Sequence, residues 1–235
     1  MPNGRRSPWS TIPACLFVTA TLFFADSVVH PSPAADAAAE ARTINQHVLA
    51  FIKASKLGEA ETLAKMGLRL CDDVGDSKVF CASQFNESLG DIAFLQTKYS
   101  SALEYQEQAL RLREAELDSG HLLVSRSLQR IGSVYLALKR MSEAETFTKR
   151  AVSGFEKLVP VNRELGISLG YLRKIYLDTD RIDDAITVAR RELEVQQAIG
   201  DGRAIFQSRL NLASILSRLA RSLTNERNYS AAEPI

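Results

Sequence analysis

Two copies of one residue pattern stand in tandem in residues 83–152, 42 residues apart. In each copy a glycine is followed by an alanine 12 residues later, and a second alanine comes seven residues after the first. The matched pairs are Gly90 and Gly132, Tyr99 and Met141, Ala102 and Ala144, Tyr105 and Phe147, and Ala109 and Ala151. Small residues allow two antiparallel helices to approach closely, and bulky apolar residues fill the space beside the contact. The pattern therefore predicts one helix pair per copy, stacked on the next at a fixed period.

The matched segments also carry a family resemblance. Residues 89–90, 99–102 and Ala109, with their counterparts at residues 131–135, Ala144 and Ala151, resemble the tetratricopeptide repeat. The 42-residue period and the turn at residues 117–121 are similar to those of the longer variety, found in kinesin light chains. The resemblance implies an all-α, right-handed superhelical solenoid of antiparallel helix pairs. It also implies that the first helices of successive repeats line a concave groove, in which a peptide or helix of a partner protein binds.

The pattern extends, less regularly, over most of the chain. We predict repeats at about residues 39–76, 78–118, 121–158, 161–200 and 202–235, the last incomplete, with the first helix of the first repeat at about residues 39–55. Arg173 and Glu192 replace small residues in the fourth repeat, which predicts looser packing there or a slip of register. In the fifth repeat Tyr229 and Ala232 come about seven residues late. This delay predicts a longer first helix, which is either a capping helix or part of a truncated array.

Residues 1–38 differ from the repeats in composition. Arg5 and Arg6 precede an apolar run at residues 14–25, and small residues follow at 35–39. This order is typical of a secretory signal. The apolar run of 12 residues is shorter than the ~20 residues that a membrane span needs. We therefore expect a secreted or periplasmic protein with no stable membrane span after cleavage; an uncleaved membrane anchor and a disordered leader are the alternatives.

Cys71 and Cys81 are the two cysteines outside this leader. A close pair of cysteines in an oxidising compartment favours a disulfide, which would tie the first repeat to the second. The alternative is two small buried residues of a helical array. No further Cys or His stands near enough to complete a four-ligand metal site, so we expect no bound metal.

Catalytic motifs are not found. His47 and His121 are 74 residues apart, and the chain contains no nucleophile elbow, zinc-protease motif, P-loop or dinucleotide fingerprint. We expect no enzymatic activity and no cofactor, and we expect His121 to serve the turn between repeats. The formal net charge of +1 gives no reason to expect binding to nucleic acid or to an anionic membrane.

A partner-binding groove is predicted from helical spacing, which selects the exposed inner positions of the first helices. The selected residues are Glu87, Asp91, Arg126, Gln129, Arg130, Ser133, Lys174, Asn211 and Arg218. The groove should be acidic near the second repeat and basic from the third onward. Arg126 and Arg130 are four residues apart on one helix face. Alternatively, these arginines pair with Glu87 and Asp91 across the groove or are merely solvated.

Arg126 and Arg130 also resemble two basic positions that grip a C-terminal carboxylate in chaperone-binding members of the family. The asparagines of that motif are replaced by Leu49 and Ser88. We therefore keep only a preference for a partner with an anionic or C-terminal carboxylate segment. The sequence as a whole predicts an exported, non-enzymatic scaffold for protein–protein interaction. The alternatives are a structural or oligomerisation module with a self-occupied groove, and a sensor subunit of a separately encoded enzyme.

Overall fold

The computed structural model describes residues 32–158 and 161–230, with side chains up to Thr224. Its nine α-helices are α1 (Pro33–Lys53), α2 (Leu57–Leu70), α3 (Lys78–Leu95), α4 (Tyr99–Glu116), α5 (Leu122–Ala137), α6 (Met141–Leu158), α7 (Arg163–Asp178), α8 (Ile182–Ile199) and α9 (Gly202–Ser230). Two short 3₁₀ turns, Cys71–Asp73 and Gly75–Ser77, connect α2 to α3, and these described segments contain no β-strand. The all-α prediction is therefore confirmed. The basic start and apolar run of the predicted secretory signal lie outside the described residues.

Four helix pairs are closed by the same tight turn. The helices pair as α1 with α2, α3 with α4, α5 with α6 and α7 with α8. Each turn contains one non-glycine residue in the left-handed region, with φ near +60°: Ser55, Thr97, Lys139 and Asp180. Such residues are uncommon, so their recurrence at the same point of each pair shows that the four pairs are copies of one unit. The pairs stack in chain order into a helical solenoid.

The helices of each pair meet at small residues. Ala60, Ala102, Ala144 and Ala185 lie at equivalent positions in the four second helices and are fully buried. A Cβ atom at Gly90 would lie 2.5 Å from Gln106 Nε2, and one at Gly132 would lie 2.5 Å from Thr148 Oγ1. The two helices of these pairs are therefore as close as their backbones allow, which is the packing that the alternation of small and bulky residues predicts.

Helix α1 begins earlier than the sequence pattern predicts, at Pro33 instead of about Ala39. The side chain of Ser32 caps the helix, because its Oγ accepts a hydrogen bond from the N–H of Ala35. Proline suits the first helical position, and the alanines that follow favour a helix. Ala37 and Ala41 are buried against the core of the first two repeats, so the segment before Ala39 belongs to the folded body.

The fourth and fifth repeats depart from the regular pattern in two ways. The guanidinium of Arg173 lies 2.8 Å from Glu192, with both side chains mostly buried, so an ion pair replaces the small-residue contact between α7 and α8. Helix α9 is a single helix of 29 residues that packs against α8. The longer first helix predicted for the fifth repeat is therefore present.

Candidate partner-binding surface

The first helices of the repeats form one continuous surface, which we call the first-helix face and define by α1, α3, α5 and α7. Helix α1 contacts α3, and α5 contacts α7. Glu87 and Asp91 lie on α3, the four residues Arg126, Gln129, Arg130 and Ser133 lie on α5, and Lys174 lies on α7. Asn211 and Arg218 lie on α9.

An ion-pair network crosses this face from α3 to α5. Arg130 places Nη1 2.9 Å from Asp91 Oδ1 and Nη2 2.6 Å from Glu87 Oε1. Arg113 of α4 pairs with the other oxygen of Glu87 from beneath. Arg113 is 2% exposed and also donates hydrogen bonds to Ser127 Oγ at 2.7 Å and to the carbonyl of Leu123 at 3.2 Å. The structure thus brings Arg130 together with both predicted carboxylates.

The two carboxylates of the network have opposite pKa shifts. Burial acts to raise the pKa of Glu87, but the charges of Arg130 and Arg113 outweigh it and lower the pKa to about 2. Burial raises the pKa of Asp91 to about 6, against the opposing charge of Arg130, and the negative charge of Glu87 adds to the increase. Glu87 is therefore the firmly ionised member of the pair.

Arg126 differs from Arg130 although they lie one turn apart. It is half-buried, and no hydrogen bond or ion pair involves it within residues 32–158 and 161–230. Its charge reaches Asp91 and acts to lower the pKa of that carboxyl. The other three predicted basic residues, Arg130, Lys174 and Arg218, are each paired with an acidic neighbour. The pairing of Arg130 with Glu87 and Asp91 is the alternative that the sequence left open.

A pocket of about 280 Å³ opens beside the network. Its apolar wall is formed by Ile52, Phe94, Leu95 and Val134, and its polar wall by Asp91, Gln106, Gln129, Arg130, Ser133 and Tyr171. Leu95 is 53% exposed. An apolar pocket with a few convergent polar groups is the usual form of a site that takes one side chain of a ligand.

A second pocket of about 470 Å³ continues the surface along α7. It is lined by Ile167, Gly170, Tyr171, Arg173, Lys174, Leu177 and Asp178. Tyr171 borders both pockets. Burial raises the pKa of Tyr171. Five of the predicted groove residues on α3, α5 and α7 therefore line one track of two adjoining pockets, namely Asp91, Gln129, Arg130, Ser133 and Lys174, whereas Glu87 and Arg126 line neither pocket.

Comparison with known proteins identifies the repeat. The family model described as tetratricopeptide repeat matches residues 82–157, which include most of α3 and almost all of α4 to α6. Residues 82–157 are therefore similar to tetratricopeptide repeats. No curated protein matches the sequence.

Solved structures share this helical-repeat fold at low sequence identity. BtubC (BKLC) from P. vanneervenii is 16% identical with a TM-score of 0.69, over 86% of this chain and 93% of that one. A kinesin-light-chain-like protein with nearly identical TPR-like repeats from Podospora anserina is 14% identical with a TM-score of 0.68, over 84% and 93%. Aspartyl phosphate phosphatase F from Bacillus subtilis is 16% identical with a TM-score of 0.69, over 80% of this chain and 48% of that one.

The remaining predicted groove residues of the array serve its own structure. Gln129 Nε2 donates to the carbonyl of Glu164 and to Ser168 Oγ, both at 2.8 Å, and Ser133 Oγ donates to the carbonyl of Arg130 at 2.7 Å. Asn211 Oδ1 accepts from Gln207 on its own helix, and Arg218 pairs with Asp180 at 2.7 Å. The described residues that line the two pockets come from α1, α3, α4, α5 and α7, so the structure does not bring Asn211 and Arg218 into this track.

Two polar residues of α4 belong to the site although the sequence analysis did not select them. Gln106 donates from Nε2 to Asp91 Oδ1 at 3.1 Å, and Arg113 supports Glu87. Both lie in the buried stripe of α4 with Ala102 and Ala109. Polar residues at helical spacing within a stripe of small buried residues are the signal that could have revealed them.

The two candidate cysteines are joined. Cys71 and Cys81 form a disulfide with their Cα atoms 5.6 Å apart, within the range that a disulfide requires. The bond connects the end of α2 to the first turn of α3, and both residues are buried. His121 caps α5, because its Nδ1 accepts a hydrogen bond from the N–H of Leu123 at 3.2 Å.

Residues 32–158 and 161–230 contain no cluster of three or more His, Cys, Asp or Glu side chains that could hold a metal ion. None of the helices in residues 32–158 and 161–230 is both long enough and apolar enough to cross a membrane.

Proposed function

We propose that this chain is an exported, non-enzymatic scaffold that binds a segment of a partner protein along the first-helix face. The observation that carries the proposal is the track of two adjoining pockets, which crosses the helices of three consecutive repeats and exposes Leu95 and Ile167. A segment laid along α3, α5 and α7 would bury these apolar groups. The fold supports the proposal, because tetratricopeptide repeats are typical of protein–protein interaction.

The chemistry of the track indicates the kind of segment that binds. An apolar side chain of the partner fits the pocket beside Phe94 and Leu95. An anionic side chain or a C-terminal carboxylate fits Arg126, whose guanidinium has no acidic partner in the described part of the chain. Arg130 is already paired with Glu87 and Asp91. It therefore forms part of the pocket wall and is not available to bind the anionic group of the partner.

Export is supported by two features that are independent of the groove. Residues 1–31 contain the basic start and the short apolar run of a secretory signal. The Cys71–Cys81 disulfide is of the kind that persists in oxidising compartments. Together they favour a secreted or periplasmic location.

A capture experiment with charge-matched variants tests this function. The bait begins at Ser32, which keeps the cap of α1, and is incubated with extract from the compartment that the leader addresses. Leu95→Glu alters the track and Arg126→Glu alters the first-helix face on α5, whereas Met66→Glu on α2 and Arg111→Glu on α4 introduce the same charge changes at exposed positions elsewhere. A partner that is lost by the Leu95 and Arg126 variants and retained by the Met66 and Arg111 variants supports binding along the first-helix face. A partner that all four variants retain contradicts it.

The alternative of an oligomerisation module makes a different prediction. If the track is occupied by a second copy, the purified chain will be a dimer by light scattering, and Leu95→Glu will convert it to a monomer. We do not extend the activity of aspartyl phosphate phosphatase F to this chain, because the chain spans about half the length of that protein.

A further inference from the structure

Helix α9 buries one face and leaves a second apolar face uncovered. Ser208 and Ile215 are buried, and Leu212 packs against the core of the preceding repeats. The large apolar residues that remain exposed are Phe206 (63%), Leu210 (49%), Leu216 (41%) and Leu223 (51%). At 100° per residue these four fall within one side of the helix, away from Ser208 and Ile215. We call them the α9 stripe.

In the other repeats the equivalent face is covered by the second helix. Ser168 and Ile175 of α7 are buried, as are Ser208 and Ile215 of α9, 40 residues later. The same offset places Phe206 of the α9 stripe at the position of Gly166. A Cβ atom on Gly166 would lie 2.3 Å from Gln196 Nε2 and 3.8 Å from Val195 Cγ1 of α8, so a large side chain at that position would have to displace residues of α8.

Phe206 is therefore incompatible with a second helix packed as α8 packs on α7. The preceding repeats agree, because Ser83 and Ser125 occupy the equivalent position and both are buried. The α9 stripe is consequently not suited to continuation of the array by the same close contact. An occupant that needs no matched helix surface fits it better.

The charge around the stripe is strongly one-sided. Residues 202–225 contain Arg203, Arg209, Arg218 and Arg221 and no Asp or Glu. All four arginines are exposed, and Arg218 pairs with Asp180 of the α7–α8 turn. No acidic partner is found for the other three among the residues with described side chains. On a helical projection Arg203 and Arg221 lie beside Leu210 at one edge of the stripe, and Arg209 lies within the stripe, between Phe206 and Leu216.

We propose that α9 binds the surface of an anionic lipid bilayer, lying parallel to the membrane plane. The apolar side chains of the α9 stripe would enter the boundary between headgroups and acyl chains, and the long side chains of the arginines within and beside the stripe would extend to the lipid phosphates. A helix that exposes both apolar and cationic side chains binds such interfaces, and its affinity rises with the negative charge of the lipid. The net charge of +1 for the whole chain conceals this local excess.

This surface is separate from the two-pocket track. The described residues that line the pockets do not come from α9, so lipid and a partner segment could bind at the same time. The inference goes beyond the proposed scaffold function and does not depend on it. A scaffold held at a membrane surface would present its partner there.

Hydrogen exchange of the full chain with vesicles tests the proposal locally. Vesicles of phosphatidylcholine are compared with vesicles that also contain phosphatidylglycerol, and exchange is followed in peptides from α9 and, as an internal control, from α4. A local measurement is needed because the apolar run at residues 14–25 could bind vesicles by itself. We expect slower exchange of α9 amides with anionic vesicles, a smaller effect with neutral ones and no change in α4.

Matched variants separate the contributions of the stripe and the arginines. Phe206→Ser with Leu210→Ser should abolish the protection, and Arg209→Gln with Arg221→Gln should weaken binding to anionic vesicles by about tenfold or more. Met66→Ser with Phe80→Ser removes two comparably exposed apolar residues elsewhere and should change nothing. Unprotected α9 amides on anionic vesicles, or equal protection by both lipids, would overturn the proposal. Protection that grows with protein concentration without lipid would assign the stripe to a second copy instead.

Discussion

Arg130 Nη1 lies 2.9 Å from Asp91 Oδ1, and this contact joins the first helix of the third repeat to that of the second. Arg130 also holds Glu87, which Arg113 supports from the opposite side. The polar wall of the first pocket, which includes Asp91 and Arg130, is therefore part of a network of ion pairs that joins α3, α4 and α5. Such a network fixes the distance between neighbouring repeats, and the pocket depends on that distance.

Removal of Arg130 should destabilise the array. Arg130→Ala leaves two largely buried carboxylates without their shared cation, and we expect the free energy of unfolding to fall by about 1–3 kcal/mol. Arg126→Ala is the matched control, because Arg126 forms no ion pair in the described structure, and it should cost less than about 0.5 kcal/mol. Chemical denaturation of both variants measures the difference. Equal stability of the two variants would show that the network adds nothing.

The same network predicts an unusual dependence of stability on pH. Asp91 has a pKa of about 6 in the folded chain and about 4 in the unfolded chain. Between about pH 4 and pH 6 Asp91 is therefore protonated to a greater extent in the folded chain than in the unfolded chain. Acidification from about pH 7 to about pH 5 should therefore raise the free energy of unfolding, by about 1–2 kcal/mol because solvent still reaches Asp91. Below about pH 4 the sign reverses, because Glu87 with its pKa of about 2 gains a proton on unfolding.

Denaturation curves across this range, with two variants, test the assignment. Asp91→Asn should remove the rise between about pH 7 and pH 5, and Glu87→Gln should reduce the loss below about pH 4. A wild-type chain whose stability declines steadily from neutral pH would contradict the raised pKa of Asp91. A rise that persists in Asp91→Asn would place the responsible group elsewhere.

The helix register could be predicted from the sequence because it depends on local size. Ala102 and Ala144 are small where two backbones meet, and no bulkier residue fits without moving a helix. The start of α1 was predicted too late for a related reason. The small residues at positions 35–39 suit a signal cleavage site, but alanine is also the strongest helix former. The hydrogen bond from the N–H of Ala35 to the Ser32 side chain is the feature that favours a helix start over a cleavage site.

The pairing in the site could not be predicted in the same way. Helical spacing placed Arg126 and Arg130 on one face of α5. Whether each arginine forms an ion pair depends on the positions of Glu87 and Asp91 on α3, which pair with Arg130. The burial of Arg113 could have been inferred from its helical spacing with Ala102 and Ala109, but that spacing does not predict its partner. Its role depends on Glu87, 26 residues away, and on the packing of α4 beneath α3.

Ala102→Leu tests the register of the helix pairs directly. Ala102 is fully buried where α4 meets α3, so the added side-chain volume should overpack the contact and cost about 1–3 kcal/mol. The adjacent Ser101 is exposed, so Ser101→Leu is the control and should leave the melting temperature nearly unchanged. Thermal unfolding followed by circular dichroism gives both values. An unchanged melting temperature for Ala102→Leu would refute the register.

The Cys71–Cys81 disulfide should contribute measurable stability to the first two repeats. It closes a loop with a sequence separation of 10, for which the loss of chain entropy in the unfolded state corresponds to about 3 kcal/mol at most. The double variant Cys71→Ser with Cys81→Ser should melt at a lower temperature than the oxidised chain and show no response to reductant. The wild-type chain should approach the variant when reduced. If thiol titration of the exported, unfolded protein finds both cysteines free, the disulfide does not form in the cell, and this support for an oxidising location is removed.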